Sequence, residues 1–319
     1  MKFPKGRPVL ENAKLAFLNL DNILNASKRE RASKISGYVL ILYPDHLEFL
    51  FLKKGEPMNA AWFSPEEKRV IPIGDLIERA KGAYNGVVSI YEVEEELISM
   101  MLTALKSEPI YSQMVEEAPE SARLLKWLED NNPTGFIQLT GATEICYVAV
   151  QKGKLLRAYI PSRQSREITP EGFAQLVSQD GVLVQMYKGS PQEIEQASPA
   201  LMMLFLKMYN GLIQEFTEAV GPTLVQKFIS SSKKEAEGDF PLVKEFKLDR
   251  DMKIDGQSLA TPEELTQSFA RWVSLFLESF DSVLGPRHEE IVKKGIKDYR
   301  FAVKSTGFFD HFGLDRYFE

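Results

Sequence analysis

The chain has 319 residues, 44 % of them hydrophobic, with a net charge of −6 and a pI near 5.4. That length sets a prior of two or three domains, and the acidic balance argues against a dominant nucleic-acid footprint. The single cysteine, Cys146, excludes an internal disulfide. No stretch reaches the ~18 apolar residues of a membrane span, and the basic N-terminus lacks a signal peptide's apolar run. The expectation is a soluble, cytoplasmic protein with no membrane insertion.

Residues 1–14 are polar, with Pro4 and Pro8, and are expected to form an arm. Leu15, Leu18, Leu20, Ile23 and Leu24 predict a short helix that fades into the charged turn Lys28–Arg31. Ser36-Gly37 opens a β-meander. The alternation Leu47, Phe49, Phe51 predicts a strand with one buried face. Gly55 turns a hairpin by supplying positive φ, and 58–63 returns as a strand. Ile73, Leu76, Ile77 and Ala80 predict a helix. Val87–Tyr91 reads as a strand, and Leu97, Met101 and Leu105 as a helix stripe closed by Pro109.

The same order then recurs. Leu124, Leu125 and Leu128 mark a helix stopped by Asn131-Asn132-Pro133. Thr134-Gly135 opens a second meander, Gly153 turns it, Phe173–Val177 is a short helix, and Asp180-Gly181 precedes the strand Val182–Tyr187. Gly37/Gly135, Gly55/Gly153 and Ala60/Ala158 share one offset, as do Leu47/Ile145, Phe49/Tyr147 and Leu50/Val148. A period this long indicates duplicated domains, since solenoid repeats run ~20–50 residues.

From about Ser198 the apolar spacing becomes helical. Leu201, Leu204, Phe205, Met208 and Leu212 run to a Gly221-Pro222 corner, followed by Leu224, Val225, Phe228 and Ile229. Thr261-Pro262-Glu263-Glu264 starts a second long helix with an N-cap Thr, Pro at N1 and Glu at N3. It runs through Phe269, Trp272, Phe276 and Phe280 to Gly285-Pro286. Two helix–corner–helix units predict a four-helix bundle, joined by a mostly irregular segment over 230–260. The fold class expected is therefore α+β: two similar small β-meander-plus-helices domains, 1–112 and 113–197, then an all-α bundle, 198–319.

Few residues offer chemistry. The three histidines, His46, His288 and His311, read as surface residues, and His288-Glu289-Glu290-Ile291-Val292 lacks a zinc helix's second histidine. Cys146 reads as a strand cysteine without a base. Lys152-Gly153-Lys154 lacks the spacing and the following helix of a phosphate loop. Glu92, Glu94, Glu95 and Glu96 read as a solvated helix start that complements the helix dipole, in preference to a metal cluster. Lys28, Arg29, Arg31 and Lys34, balanced by Glu30, do not make a nucleic-acid patch. No catalytic, metal or cofactor-binding residue emerges. The aromatic tail is unusual: Phe308, Phe309, Phe312, Tyr317 and Phe318 are candidate partner contacts, or else a tail folded back onto the bundle, and packing is the reading preferred.

Both meander units resemble the PATAN-type domain of bacterial signalling and surface-motility proteins. The resemblance is carried by Ser36-Gly37 and Thr134-Gly135, by the Gly-x4-Ala steps Gly55–Ala60 and Gly153–Ala158, and by strands led by Gly86 and Gly181. It covers about residues 15–210 and leaves the bundle outside. It implies a non-enzymatic, cytoplasmic protein-interaction or scaffold module with protein partners and no cofactor, and leaves homo-oligomers open. A small-molecule sensor with a pocket in one α+β domain is the alternative, and an enzyme whose groups the sequence does not connect is a third.

Overall fold

The computed structural model describes residues 2–18, 35–115, 118–161, 163–178, 181–189 and 195–317. The expected helix residues Leu20, Ile23 and Leu24, the basic run Lys28–Lys34, Asp180 and Phe318 lie outside them. The fold is α+β with antiparallel sheets. The chain forms two compact units, Met1–Ile71 with Leu76–Ile194, and Pro72–Asp75 with Glu195–Glu319.

The first unit holds two six-stranded sheets. One is built from β1 (Arg7–Lys14), β2 (Gly37–Leu42), β3 (Leu47–Lys53), β4 (Glu56–Phe63), β5 (Lys68–Ile71) and β6 (Val87–Glu92). The other is built from β7 (Tyr111–Val115), β8 (Gly135–Thr140), β9 (Ile145–Gln151), β10 (Lys154–Ile160), β11 (Arg163–Glu167) and β12 (Val182–Lys188). Their spatial orders are β1-β6-β2-β3-β4-β5 and β7-β12-β8-β9-β10-β11, strand for strand the same. Helix α1 (Ile73–Gly82) follows β5; α2 (Glu95–Lys106) follows β6. Helices α3 (Ala118–Asn131) and α4 (Pro170–Val177) belong to the second repeat.

The anchors seen in the sequence occupy matching places. Gly37 pairs with Leu52 and Glu92, and Gly135 with Val150 and Lys188. A Cβ on Gly37 would fall 2.0 Å from the Tyr91 carbonyl oxygen, and one on Gly135 1.9 Å from that of Tyr187. Strand approach this close leaves room only for hydrogen. In both hairpins two successive residues take positive φ, Lys54-Gly55 and Lys152-Gly153, as two-residue turns matching strand twist require. Ser36 Oγ accepts from the Lys54 amide at 3.1 Å and Thr134 Oγ1 from the Lys152 amide at 3.0 Å. That shared bond explains why a hydroxyl residue precedes each glycine.

Alternation sorts each strand between two cores. Phe49 and Phe51 of β3 and Tyr147 and Ala149 of β9 join one aromatic-rich cluster together with Leu97, Met101 and Leu102 of α2. This cluster draws on both sheets. Cys146, Val148 and Val150 face the opposite way and pack with Leu124, Leu128, Phe173 and Val177 of α3 and α4. The boundary expected at residue 112 falls within β7, inside this unit.

The arm expected over 1–14 is a strand instead. Arg7–Lys14 pairs with β6, and Lys2 bridges to Glu144. Phe3 packs edge-on against Phe49 at 4.7 Å and Phe63 at 5.2 Å. One buried aromatic ring and an unpaired neighbouring strand edge overrode the polar composition. Leu15–Phe17 forms a single 3-10 turn.

The second unit is helical: α5 (Pro199–Val220), α6 (Pro222–Asp239), α7 (Pro262–Leu284), α8 (Arg287–Ile296) and a short α9 (Arg300–Lys304). Both Gly-Pro corners lie between helices as expected, and α7 opens with a full capping box between Thr261 and Glu264. The segment 230–260 is less irregular than expected. Helix α6 continues to Asp239, with Ile229, Ser232 and Ala236 buried on one face. Lys233 and Glu237, both half-buried, pair at 3.0 Å across one turn, and Lys234 and Glu235 are exposed, so charges read as loop composition belong to a helix. A 3-10 turn and a two-stranded hairpin, β13 (Lys247–Leu248) with β14 (Ile254–Asp255), complete the connection.

Candidate functional site

The acidic run at the end of β6 is split by the backbone, because β6 stops at Glu92 and α2 begins at Glu95. Each glutamate meets a different partner. Glu92 pairs with Arg7 at 2.5 Å, and Glu95 accepts from Ser36 Oγ at 2.8 Å. Glu94, at the N-cap of α2, makes no cap bond with its side chain. Its carboxylate turns to the second repeat, accepting from Ser165 Oγ at 2.6 Å, Tyr159 at 3.1 Å and Arg157. Tyr159 also reaches Glu96 at 2.6 Å, so its one hydroxyl hydrogen serves two carboxylates. Burial pushes the Glu94 carboxyl up, but the bonds from Ser165 and Tyr159 and the Arg157 charge outweigh it and hold it below the ordinary value. The expected solvated helix start is right for Glu95 and incomplete for Glu94, which links the two repeats. A cleft of about 440 Å³ opens beside it, lined by Lys5, Arg7, Glu94, Leu97, Tyr159 and Ser165.

A second cluster lies on the other face of the first sheet. Glu48 on β3 is wholly buried, directly across from Trp62 on β4. Arg79 of α1 donates to Glu48 at 2.8 Å, and its guanidinium lies 5.5 Å from the Trp62 ring centre. His46 is sandwiched between Tyr43 at 4.5 Å and Trp62 at 3.6 Å, both stacked. Its Nδ1 lies 2.8 Å from Asp45, and its Nε2 3.7 Å from Glu48. Among the described residues the buried Tyr43 hydroxyl has no hydrogen-bond partner; burial, then the Glu48 charge, pushes it up to about 12.

His46 is therefore not the surface histidine expected at this turn, because two rings close over it. The second repeat shows what the fold itself needs here. Cys146 stands at the position of Glu48 and Ile160 at that of Trp62, and setting Leu76 and Ala80 on Phe173 and Val177 puts Leu176 opposite Arg79. Three positions that are apolar core in one repeat are polar or aromatic in the other. Sequence reading missed Glu48 and Arg79. The available signal was a carboxylate at an inward position of His-Leu-Glu-Phe-Leu-Phe-Leu whose repeat partner is apolar.

Cys146 is buried as expected, and burial, then Glu144, pushes its thiol up to about 12, far from a reactive thiolate. Lys152-Gly153-Lys154 is the β9–β10 hairpin. Among the described residues no group of three or more His, Cys, Asp or Glu could hold a metal ion. Among them also, no helix is long and apolar enough to cross a membrane.

In the helical unit the tail folds back onto the bundle. Phe308, Phe309 and Tyr317 are 1 %, 5 % and 2 % exposed, so these candidate partner contacts are core residues. Phe308 packs 5.4 Å from Phe205. Among the described tail aromatics only Phe312 keeps substantial exposure, 43 %, with the Arg271 guanidinium 5.5 Å from its ring. His288 is also buried, a correction to its surface assignment. Its Nδ1 is 2.9 Å from Asp281, and its ring stands edge-on to Tyr317 at 5.5 Å. Arg316 donates to the Tyr317 hydroxyl at 2.7 Å. Burial pushes the His288 pKa below its ordinary value despite the raising effect of Asp281. His311 is half-buried.

No family model, no curated protein and no solved structure matches the chain.

Proposed function

We propose that the chain is a non-enzymatic protein-interaction or scaffold module of bacterial signalling or surface-motility machinery, working in the cytoplasm, with its two meander repeats derived by duplication of a PATAN-like domain. One observation carries this reading. The carboxylates that sequence offers for chemistry spend their hydrogen bonds on the chain itself, and Glu94 ties the first repeat to Arg157, Tyr159 and Ser165 of the second. A carboxylate used in this way positions two sheets relative to each other and leaves function to the surfaces so presented. Affinity capture by the full chain, followed by titration of the purified partner, tests it. A saturable 1:1 protein complex is expected; capture of nothing above an unrelated control refutes it.

The alternative, a small-molecule sensor, draws on the junction cleft. Its wall combines Lys5, Arg7, Tyr159 and Ser165 around an apolar Leu97, a mixture suited to a small polar ligand. A thermal-shift screen against metabolites and nucleotides separates the readings, because one saturable stabiliser favours the sensor.

A further inference from the structure

An edge strand leaves alternate N–H and C=O groups without a ladder partner, and such edges are usually blunted by charge, proline or bulges. The two sheets present four edges: β1, β5, β7 and β11. Three are blunted. β1 carries Pro8, two breaks in its register with β6 and Asn12 at φ +55°. β5 has Lys68 and Arg69 in four residues. β11 reads Arg-Gln-Ser-Arg-Glu and breaks register with β10.

β7 has none of these devices. Tyr-Ser-Gln-Met-Val contains no charge and no proline, and it pairs with β12 without a break over all five residues. Among the described residues its backbone bonds to no other strand. Tyr111 and Val115 turn to the helix side, Tyr111 against Trp127 at 4.7 Å. Ser112 and Met114 point the other way and are exposed, Met114 by 48 %, beside Ile110 at 49 %.

We propose that β7 docks a second copy of this chain, the two β7 strands pairing antiparallel about a twofold axis. The occupant follows from the edge. Unpaired backbone groups are satisfied by another strand, and antiparallel pairing of one strand with itself is self-complementary. An uncharged segment sets no like charges opposite each other in that arrangement. Centred on Gln113, the pairing sets Met114 of each copy across from Ser112 of the other. The two Gln113 amides, each both donor and acceptor, meet on the axis. Five residues per strand make a small contact, so association belongs to the weak, concentration-dependent class.

Sedimentation velocity of the full chain from low micromolar to millimolar concentration tests this. The mass is expected to rise from the 36.2 kDa monomer toward twice that value, while amide exchange slows within residues 111–115. The double variant Ser112→Lys/Met114→Lys alters two exposed side chains, so its melting curve should match the parent while it sediments as a monomer throughout. Val9→Lys, on the β1 edge, should associate like the parent. A parent chain that stays monomeric at millimolar concentration overturns the proposal. So does a lysine pair on β7 that leaves association intact, or a Val9→Lys variant that abolishes it.

Discussion

Replacing Arg79 with Met tests whether the Glu48 cluster is an addition to the core rather than a requirement of it. Glu48 is wholly buried and Arg79 is 2.8 Å away, with 41 % of its own side chain exposed. Removing the cation takes the Arg79 guanidinium from a wholly buried carboxylate, with His46 Nε2 at 3.7 Å. Breaking a buried pair from one side costs about 3–5 kcal/mol. The exposure of Arg79 argues for the lower end, about 3 kcal/mol. In a unit of this size each kcal/mol lowers Tm by about 2–4 °C, so the drop should be on the order of 6–12 °C. The matched change, Glu48→Cys with Arg79→Leu, copies the second repeat's Cys146 and Leu176. It removes both charges at once, and such replacements are often neutral or stabilising. Urea unfolding followed by tryptophan fluorescence reads the transition through Trp62 together with Trp127 and Trp272, with the parent and both variants measured side by side. The reasoning fails if Arg79→Met costs under about 1 kcal/mol, or if the double variant is as unstable as the single one.

Truncation after Gly307 removes four buried side chains, Phe308, Phe309, Leu314 and Tyr317. At about 1.5–3 kcal/mol each this loss rivals the ~5–15 kcal/mol of a whole domain; the truncate should melt far lower or aggregate, and an unchanged calorimetric melt would contradict the packing. His288 should make the parent chain acid-sensitive in the neutral range. Its folded pKa is depressed by burial, so as pH falls through about 6.5 the unfolded chain takes up a proton that the folded chain resists, and stability drops. His288→Phe should flatten the stability profile between about pH 7 and 5.5; an unaltered slope in denaturant titrations would assign the effect elsewhere.

Local chemistry made much of the architecture legible in sequence. Gly55 and Gly153 announce hairpins because only a turn with positive φ reverses a strand in two residues. The offset shared by Gly37 and Gly135 marks duplication, because each glycine meets the same strand carbonyl. Thr261-Pro262-Glu263-Glu264 starts α7 through bonds made within four residues. Each of these signals lies within one turn of chain or in its repetition. Partners distant in sequence were decided only in three dimensions. Phe3 is core because Phe49 and Phe63 leave a place for its ring, and the polar residues around it carry no trace of that. Glu94 joins two repeats because β10 and β11 bring Arg157, Tyr159 and Ser165 to the start of α2. β7 is an edge because of strand order, which a five-residue pattern cannot encode. Burial of His46, His288 and the tail aromatics likewise depends on which rings close over them, and that is a property of packing, where residues far apart in the chain compete for the same volume.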